Sequence, residues 1–178
     1  MLPRLRVAAV WAALVTLLAF ARPTWRSIAI GLPLVIAGEA LRLWAAGHLT
    51  KTVELVTSGP YGYTRNPLYL GRLALLSGLC LMAELPHRMH WLALLAGWIT
   101  FFGYYLPRKE RVEPARLLEA HAEAYASYFA AVPALVPTRR RFAGSARRRW
   151  SAARCRSNRE HWMVLGLALA TAWLAWRV

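Results

Sequence analysis

The sequence predicts an all-α integral membrane protein with about five transmembrane helices and an amphipathic helix on the cytoplasmic side. Three observations carry this reading. Of 178 residues, 58% are apolar and 17% charged, against about 45–50% and about 25% in soluble domains. The formal net charge is +15, and basic excess of this kind marks loops on the inner side of a membrane. Nine tryptophans supply amphipathic rings that settle at membrane–water interfaces. With roughly 20 residues per span, no separate soluble catalytic domain of ordinary size fits. Residues 1–178 are therefore read as a single polytopic membrane domain. A freestanding Rossmann module is excluded, because no G-x-G-x-x-G run occurs. Cys80 and Cys155 are too few for a zinc site or a disulfide framework, and Cys80 is expected simply to pack.

The elements follow in order. Leu5–Ala21 is the first apolar stretch. With Arg4 and Arg6 before it and Ala19-Phe20-Ala21 at its end, it also fits a signal peptide. Pro23 just after that cut, and the short hairpin to the next stretch, favour a retained helix. The second stretch, Ser27–Ala46, holds Glu39 and Arg42 three residues apart on one face. Ionisable groups at that depth are costly and need a partner, so an internal ion pair is expected there in preference to the wall of a pocket. Leu68–Leu85 and Trp91–Leu106 are the third and fourth stretches, and Trp162–Trp176 is the fifth. Arg22-Pro23 and Pro86-His87-Arg88 are links short enough to force hairpins.

Between the fourth and fifth stretches, residues 108–130 read as an amphipathic helix, with Leu117, Leu118, His121, Tyr125, Tyr128 and Phe129 near one face. Pro114 predicts a kink or a fresh helix start there. From Arg139 to Arg159 there are nine arginines, with Phe142 and Trp150 among them. Tethering to the membrane on both sides favours anionic lipid headgroups over nucleic acid as their partner. This segment is expected to be partly disordered or to lie flat as an interfacial helix. Five spans put seventeen Lys and Arg on the side of the N-terminus, the 47–67 loop and the 107–161 segment, against four on the other. That bias makes the former side cytoplasmic.

The most informative run is His48 to Gly71. Gly59-Pro60 is a turn signal. Asn66-Pro67 reads as an N-cap followed by Pro at the first helical position, opening the third span. A helix beginning at the membrane surface presents free N–H groups and partial positive charge. With Arg65 immediately before it, this is a seat for a carboxylate or phosphate. Tyr61, Tyr63 and Tyr69 offer aromatic walls and hydroxyls, and Gly71 admits a backbone or a ligand at close range.

The spacing Gly59-Pro60-Tyr61-x-x-x-Arg65-Asn66-Pro67-x-Tyr69-x-Gly71 resembles the signature of the isoprenylcysteine carboxyl methyltransferase and phospholipid methyltransferase superfamily. Those membrane enzymes read G-P-Y-x-x-x-R-H-P-x-Y-x-G, so Asn66 stands where the family has His. Ala46-Gly47-His48, Lys51 and Glu54-Leu55 look like the bacterial branch. A second family element, roughly E-E-x-x-L-x-x-x-F-G-x-x-Y-x-x-Y and then V-P-x-x-x-P, falls on Glu113 to Pro137. Here its second Glu is Pro114, and its Phe-Gly pair is His121-Ala122.

The resemblance implies S-adenosylmethionine in a pocket between helix ends, capped by the cytoplasmic helix, with a lipophilic acceptor arriving from the bilayer. It implies Arg65 and Glu113 as the central pair. The cofactor-binding set would be Pro60, Tyr61, Arg65, Asn66, Pro67, Tyr69, Gly71 and Glu113, with Glu110, His48 and Lys51 as further candidates. A bacterial inner membrane with a cytoplasmic active site is the expected location. The chemistry of the residues agrees. Arg65 at a helix N-terminus suits the cofactor's carboxylate, Glu113 or Glu110 its cationic end, and aromatic faces the adenine or sulfonium. Methyl transfer needs alignment and exclusion of water; no metal-ligand spacing is present, and Ser58 and Ser77 have no triad. A carboxylate acceptor needs no base, whereas an amine acceptor must lose a proton, and these residues do not decide between carboxyl O-methylation and lipid amine N-methylation. A non-catalytic scaffold that keeps the fold is the alternative of a different class.

Overall fold

The computed structural model of the protein describes the backbone of residues 3–50 and 55–178, and the side chains over that range other than 3–4, 6–7 and 113–122. Among the described residues there is no strand. The helices are α1 (Pro3–Ala19), α2 (Trp25–Ala46), α3 (Pro67–Ala83), α4 (Met89–Thr100), α5 (Leu106–Ala131), α6 (Ala152–Ser157) and α7 (Glu160–Trp176). Tighter 3-10 turns occupy Gly59–Gly62 and Pro86–Arg88, and a π-helical turn occupies Phe101–Tyr105. Each of the five apolar stretches is thus helical. Among the described residues, two helical runs, Trp25–Ala46 and Pro86–Val112, are long and apolar enough to cross a membrane by length and composition, while Ala8–Ala19 and Pro67–Ala83 are apolar but shorter. Large apolar side chains face outward on α1, α2, α4 and α7, among them Trp11, Ile36, Leu92, Ile99 and Leu169. A soluble protein would bury such a surface; a bilayer accommodates it.

The antiparallel pair α2–α3 is the centre of the molecule. Thr24 and Ser27 form a reciprocal capping box that starts α2 at Trp25. Two glycine pairs then let the helices touch backbone to backbone. A Cβ at Gly31 would stand 2.4 Å from the Gly78 carbonyl oxygen, and one at Gly71 would stand 2.7 Å from that of Gly38. Close approach through small residues is how helices associate where hydrophobic burial offers no drive. Gly71 therefore admits a backbone, that of Gly38, together with the Arg42 stem. Ile28, Val35, Leu75, Leu79 and Met82 fill the seam, and Leu14, Leu17 and Leu18 of α1 pack against it. Ser27 Oγ donates to Met82 O at 3.0 Å, and Trp98 Nε1 donates to Ser77 Oγ at 3.0 Å, tying α4 to α3. Cys80 is 2% exposed and packs as expected.

The fourth apolar stretch does not end where the amphipathic helix begins. α4, the π-turn and α5 form one continuous helical run. Pro107, in the first turn of α5, has no N–H for the Gly103 carbonyl, and its ring crowds that oxygen. The chain widens instead, and the Leu106 N–H reaches back to Phe101 O. Pro114 does not start a fresh helix, because α5 runs unbroken from Leu106 to Ala131.

The arginine-rich segment also differs from expectation. Only Ala152–Ser157 is helical, and the segment is bonded along its length to the α2–α3 loop. Phe142 N–H donates to Gly62 O at 2.9 Å and Ser151 N–H to Gly47 O at 3.0 Å. Trp150 Nε1 donates to Leu43 O at 3.0 Å and Arg154 Nε to Gly47 O at 2.7 Å. Main-chain acceptors left open where α2 ends hold this strap in place. Arg139, Arg140, Arg147 and Arg149 remain exposed on it.

Candidate functional site

Three segments meet at the start of α3: the α2–α3 loop, the end of α5, and the strap that follows. The Gly59–Gly62 turn is held from above by α5, whose Tyr128 hydroxyl donates to Tyr61 O at 2.8 Å. Tyr125, Tyr128 and Val132 are buried together against Leu55 and Phe142. This is the described part of the face expected on the amphipathic helix; Leu117, Leu118 and His121 lie outside the described side chains. Arg65 N–H donates to Pro133 O and Thr138 N–H to Tyr63 O, each at 2.9 Å, so the strap runs along residues 62–65 like a third rail.

Arg65 is not open to solvent. Its Nη2 donates to Glu110 Oε2 at 2.5 Å, its Nη1 to Phe129 O at 3.1 Å, and its guanidinium lies 3.6 Å over the Phe129 ring. Its Nε is buried with no partner among the described residues. Asn66 departs from the role expected of it. Its side chain does not cap α3. Instead its Nδ2 donates to Glu110 Oε1 at 2.6 Å and to Ala134 O at 2.8 Å, while Lys109 donates to its Oδ1. A charge-assisted bond to a carboxylate outcompetes a neutral cap. Pro67 does occupy the first helical turn as expected, and the Asn66 carbonyl accepts from Tyr69 and Leu70 N–H at 3.0 Å.

The site is therefore a cluster of Arg65, Asn66, Lys109 and Glu110, joining the start of α3 to the first turn of α5. Glu110, a further candidate in the sequence reading, is the partner that Arg65 has. Glu113 lies one turn later on α5, and its side chain is outside the described residues, as is Lys51 altogether. Tyr69 packs its ring 6.2 Å from that of Phe101, and its ring is flanked by Lys109 and by Arg72, each at 5.3 Å. Pro60, Asn66 and Pro67 are almost wholly buried. Chemically, the cluster offers a planar cationic fork with its Nε–H unused, seated beside a carboxylate that can exchange partners.

His48 takes no part in this bonding. It is 5% exposed, its Nδ1 lies 3.1 Å from Ser58 Oγ, and its ring fills the space beside Gly59. Gly59 is required there twice over: its φ is +60°, and a Cβ would meet His48 Cδ2 at 2.3 Å. Burial pulls the His48 pKa down from its ordinary value, and Arg154, Arg141 and Arg148 pull it the same way, so the imidazole stays neutral. On the outer flank of the loop, Leu41, Trp44, Pro60, Tyr63, Thr64 and Pro137 line an apolar groove of about 260 Å³.

A second polar cluster lies deeper. Arg42 Nε donates to Glu39 Oε2 at 3.1 Å, which is the expected pair. Arg42 Nη2 also donates to Glu160, at the start of α7. Arg42 is 2% exposed, and Arg42 Nη1 and Glu39 Oε1 are buried without partners among the described residues. Sequence reasoning missed Glu160, Lys109, Phe129 and Arg72. Lys109 was legible in principle, being adjacent to Glu110; Glu160 was not, since 118 residues separate it from Arg42.

Comparison with known proteins agrees with the resemblance read from residues 59–71. The family model described as phospholipid methyltransferase matches residues 27–110, from α2 to Glu110 itself. The chain is also similar to the cobalt-zinc-cadmium resistance protein CzcN of Cupriavidus metallidurans, with 34% identity over 119 residues. That alignment covers 64% of this chain, which spans about half, 52%, of the relative's length. No solved structure matches.

Proposed function

We propose that this chain, which carries the phospholipid methyltransferase pattern over residues 27–110, transfers a methyl group from S-adenosylmethionine to a lipophilic acceptor in the bilayer. The observation that carries the reading is the Arg65–Asn66–Lys109–Glu110 cluster, which lies within the matched segment. The residues fit the cofactor. Arg65 has a buried unpartnered Nε, and its fork rests on a carboxylate that a ligand carboxylate can replace. Arg65 and the uncapped first turn of α3 would hold the amino-acid carboxylate. Glu110, once released, would face the cationic end, and Tyr69 with Tyr61 would supply aromatic walls. The bound cofactor supplies an electrophilic methyl on a sulfonium. The chain's own work is then alignment and exclusion of water, with α5 and the strap covering the loop.

Carboxyl O-methylation of the isoprenylcysteine type is the preferred finer reading, because it asks for no general base and the cluster contains none that is free. Phospholipid or other lipid amine N-methylation is the alternative. Methyl-labelled S-adenosylmethionine incubated with purified protein and a bacterial lipid extract is expected to label a lipid-soluble product. The chemistry of that product, ester or methylamine, separates the two. A scaffold reading draws on Pro114 and His121-Ala122 in the second family element. Absence of both label and cofactor binding would establish it and sink the enzyme.

The proposed setting is a bacterial inner membrane crossed five times, by α1, α2, α3, the α4–π run and α7, with the cluster on the cytoplasmic side. The seventeen-to-four distribution of Lys and Arg supports this orientation. Exposed arginines of the strap would rest on anionic headgroups. Single cysteines placed in the 47–67 loop and the 139–149 strap should resist a membrane-impermeant thiol reagent in intact cells and react after lysis. Labelling from outside would reverse the topology.

A further inference from the structure

We infer that Arg72 forms, with Tyr69, a bilayer-facing seat for the anionic headgroup of an amphiphile, and that this seat selects the acceptor. The role of the occupant as acceptor rests on the methyltransferase reading; the seat itself does not. Arg72 is the one charged residue in the 17 residues of α3. It lies five residues past Pro67, about 7.5 Å along the axis, and its side chain is exposed on this apolar helix.

An arginine in that position needs an anion, and no described residue supplies one. The described ion pairs are Arg42 with Glu39, Arg42 with Glu160, and Arg65 with Glu110. The carboxylates of Glu39, Glu110 and Glu160 are therefore already engaged among the described residues. The groups that face it electrostatically are Arg42, which repels it, and Tyr69, Glu160 and Tyr105, which attract it. Its guanidinium is 5.3 Å from the Tyr69 ring, whose other cationic neighbour is Lys109 at the same distance. Lys109 in turn bonds Asn66 of the Arg65–Glu110 cluster. One tyrosine ring thus separates the exposed cation from the site.

A headgroup held by Arg72 would lie against that ring, with its hydrocarbon tail along the exposed apolar faces of the bundle. The chemistry it recognises is a carboxylate or phosphate on a lipid tail. Such a group could be the acceptor's own, or could belong to a bulk phospholipid.

The test uses the full-length protein in phosphatidylcholine nanodiscs, titrated with myristate, myristyl phosphate and myristyl alcohol, with bound amphiphile read by native mass spectrometry. Wild type should hold the anionic probes at least about tenfold more tightly than the alcohol. Arg72→Gln should abolish that difference and Arg72→Lys should keep part of it, with melting temperatures confirming that both variants fold. Repeating the titration in phosphatidylglycerol nanodiscs separates the sources. Retained myristate preference supports a seat for a distinct amphiphile, and its loss supports a seat for bulk phospholipid phosphate. Equal affinity for acid and alcohol in wild type, or an unchanged preference in Arg72→Gln, overturns the seat. S-adenosylmethionine affinity measured on the same samples keeps the two readings apart: an anion preference without any cofactor binding would leave the seat standing and remove the methyltransferase.

Discussion

Replacing Arg42 by leucine should destabilise the fold more than any other single change considered. Arg42 is the shared cation between Glu39 and Glu160, and all three are buried where α2, α3 and α7 meet. Its removal leaves two carboxylates without a cation in an apolar surrounding. Breaking a buried pair in this way costs about 3–5 kcal/mol. In detergent this should lower the thermal midpoint by on the order of 10 °C. Glu39→Gln should cost less, because Arg42 keeps its bond to Glu160. Replacing Arg42, Glu39 and Glu160 together by leucine should recover most of the loss, since an apolar substitute for a buried ion triad is often near neutral. A single Arg42→Leu variant that melts with wild type would show that the triad does not hold α7 to the α2–α3 pair.

For Arg65→Ala the expected result is lost affinity with a retained fold. A charged hydrogen bond is worth about 1.5–3 kcal/mol, so binding of S-adenosylmethionine by calorimetry should weaken by roughly ten- to a hundredfold. The fold should survive because Glu110 keeps the Asn66 amide as a partner at 2.6 Å and is itself only partly buried. Arg65→Lys should not restore the affinity, because an ammonium cannot present a planar fork to a carboxylate. Glu110→Gln should weaken binding by less than Arg65→Ala: it removes the partner of the ligand's cation but also frees Arg65 from an internal competitor. Wild-type affinity in Arg65→Ala would place the cofactor elsewhere. The same measurement on Glu113→Gln decides whether the next turn of α5 adds a second carboxylate.

Local chemistry explains which expectations held. The start of the third helix was legible because Asn66-Pro67 is a local signal read within one turn. The apolar stretches were legible because hydropathy needs no knowledge of neighbours. Asn66 was misjudged as a side-chain cap because its real partners, Glu110 and Ala134, lie 44 and 68 residues away. How the strap is held was not legible for a related reason. A run of arginines advertises its charge, yet what pins it is a set of open main-chain carbonyls on Gly47 and Gly62 that no composition reveals.

By itself the sequence indicated an all-helical chain with apolar stretches of membrane type and a family pattern at residues 59–71, since both depend on residue type and short spacing. Only the tertiary structure decided that Arg65 pairs with Glu110, that Arg42 joins Glu39 to Glu160, and that Arg72 stands exposed with no carboxylate partner among the described residues. The physical reason is that a charge pairs, or fails to pair, according to what the fold brings within reach: Glu110 lies 45 residues from Arg65 and Glu160 lies 118 from Arg42, so distance along the chain reveals neither partner.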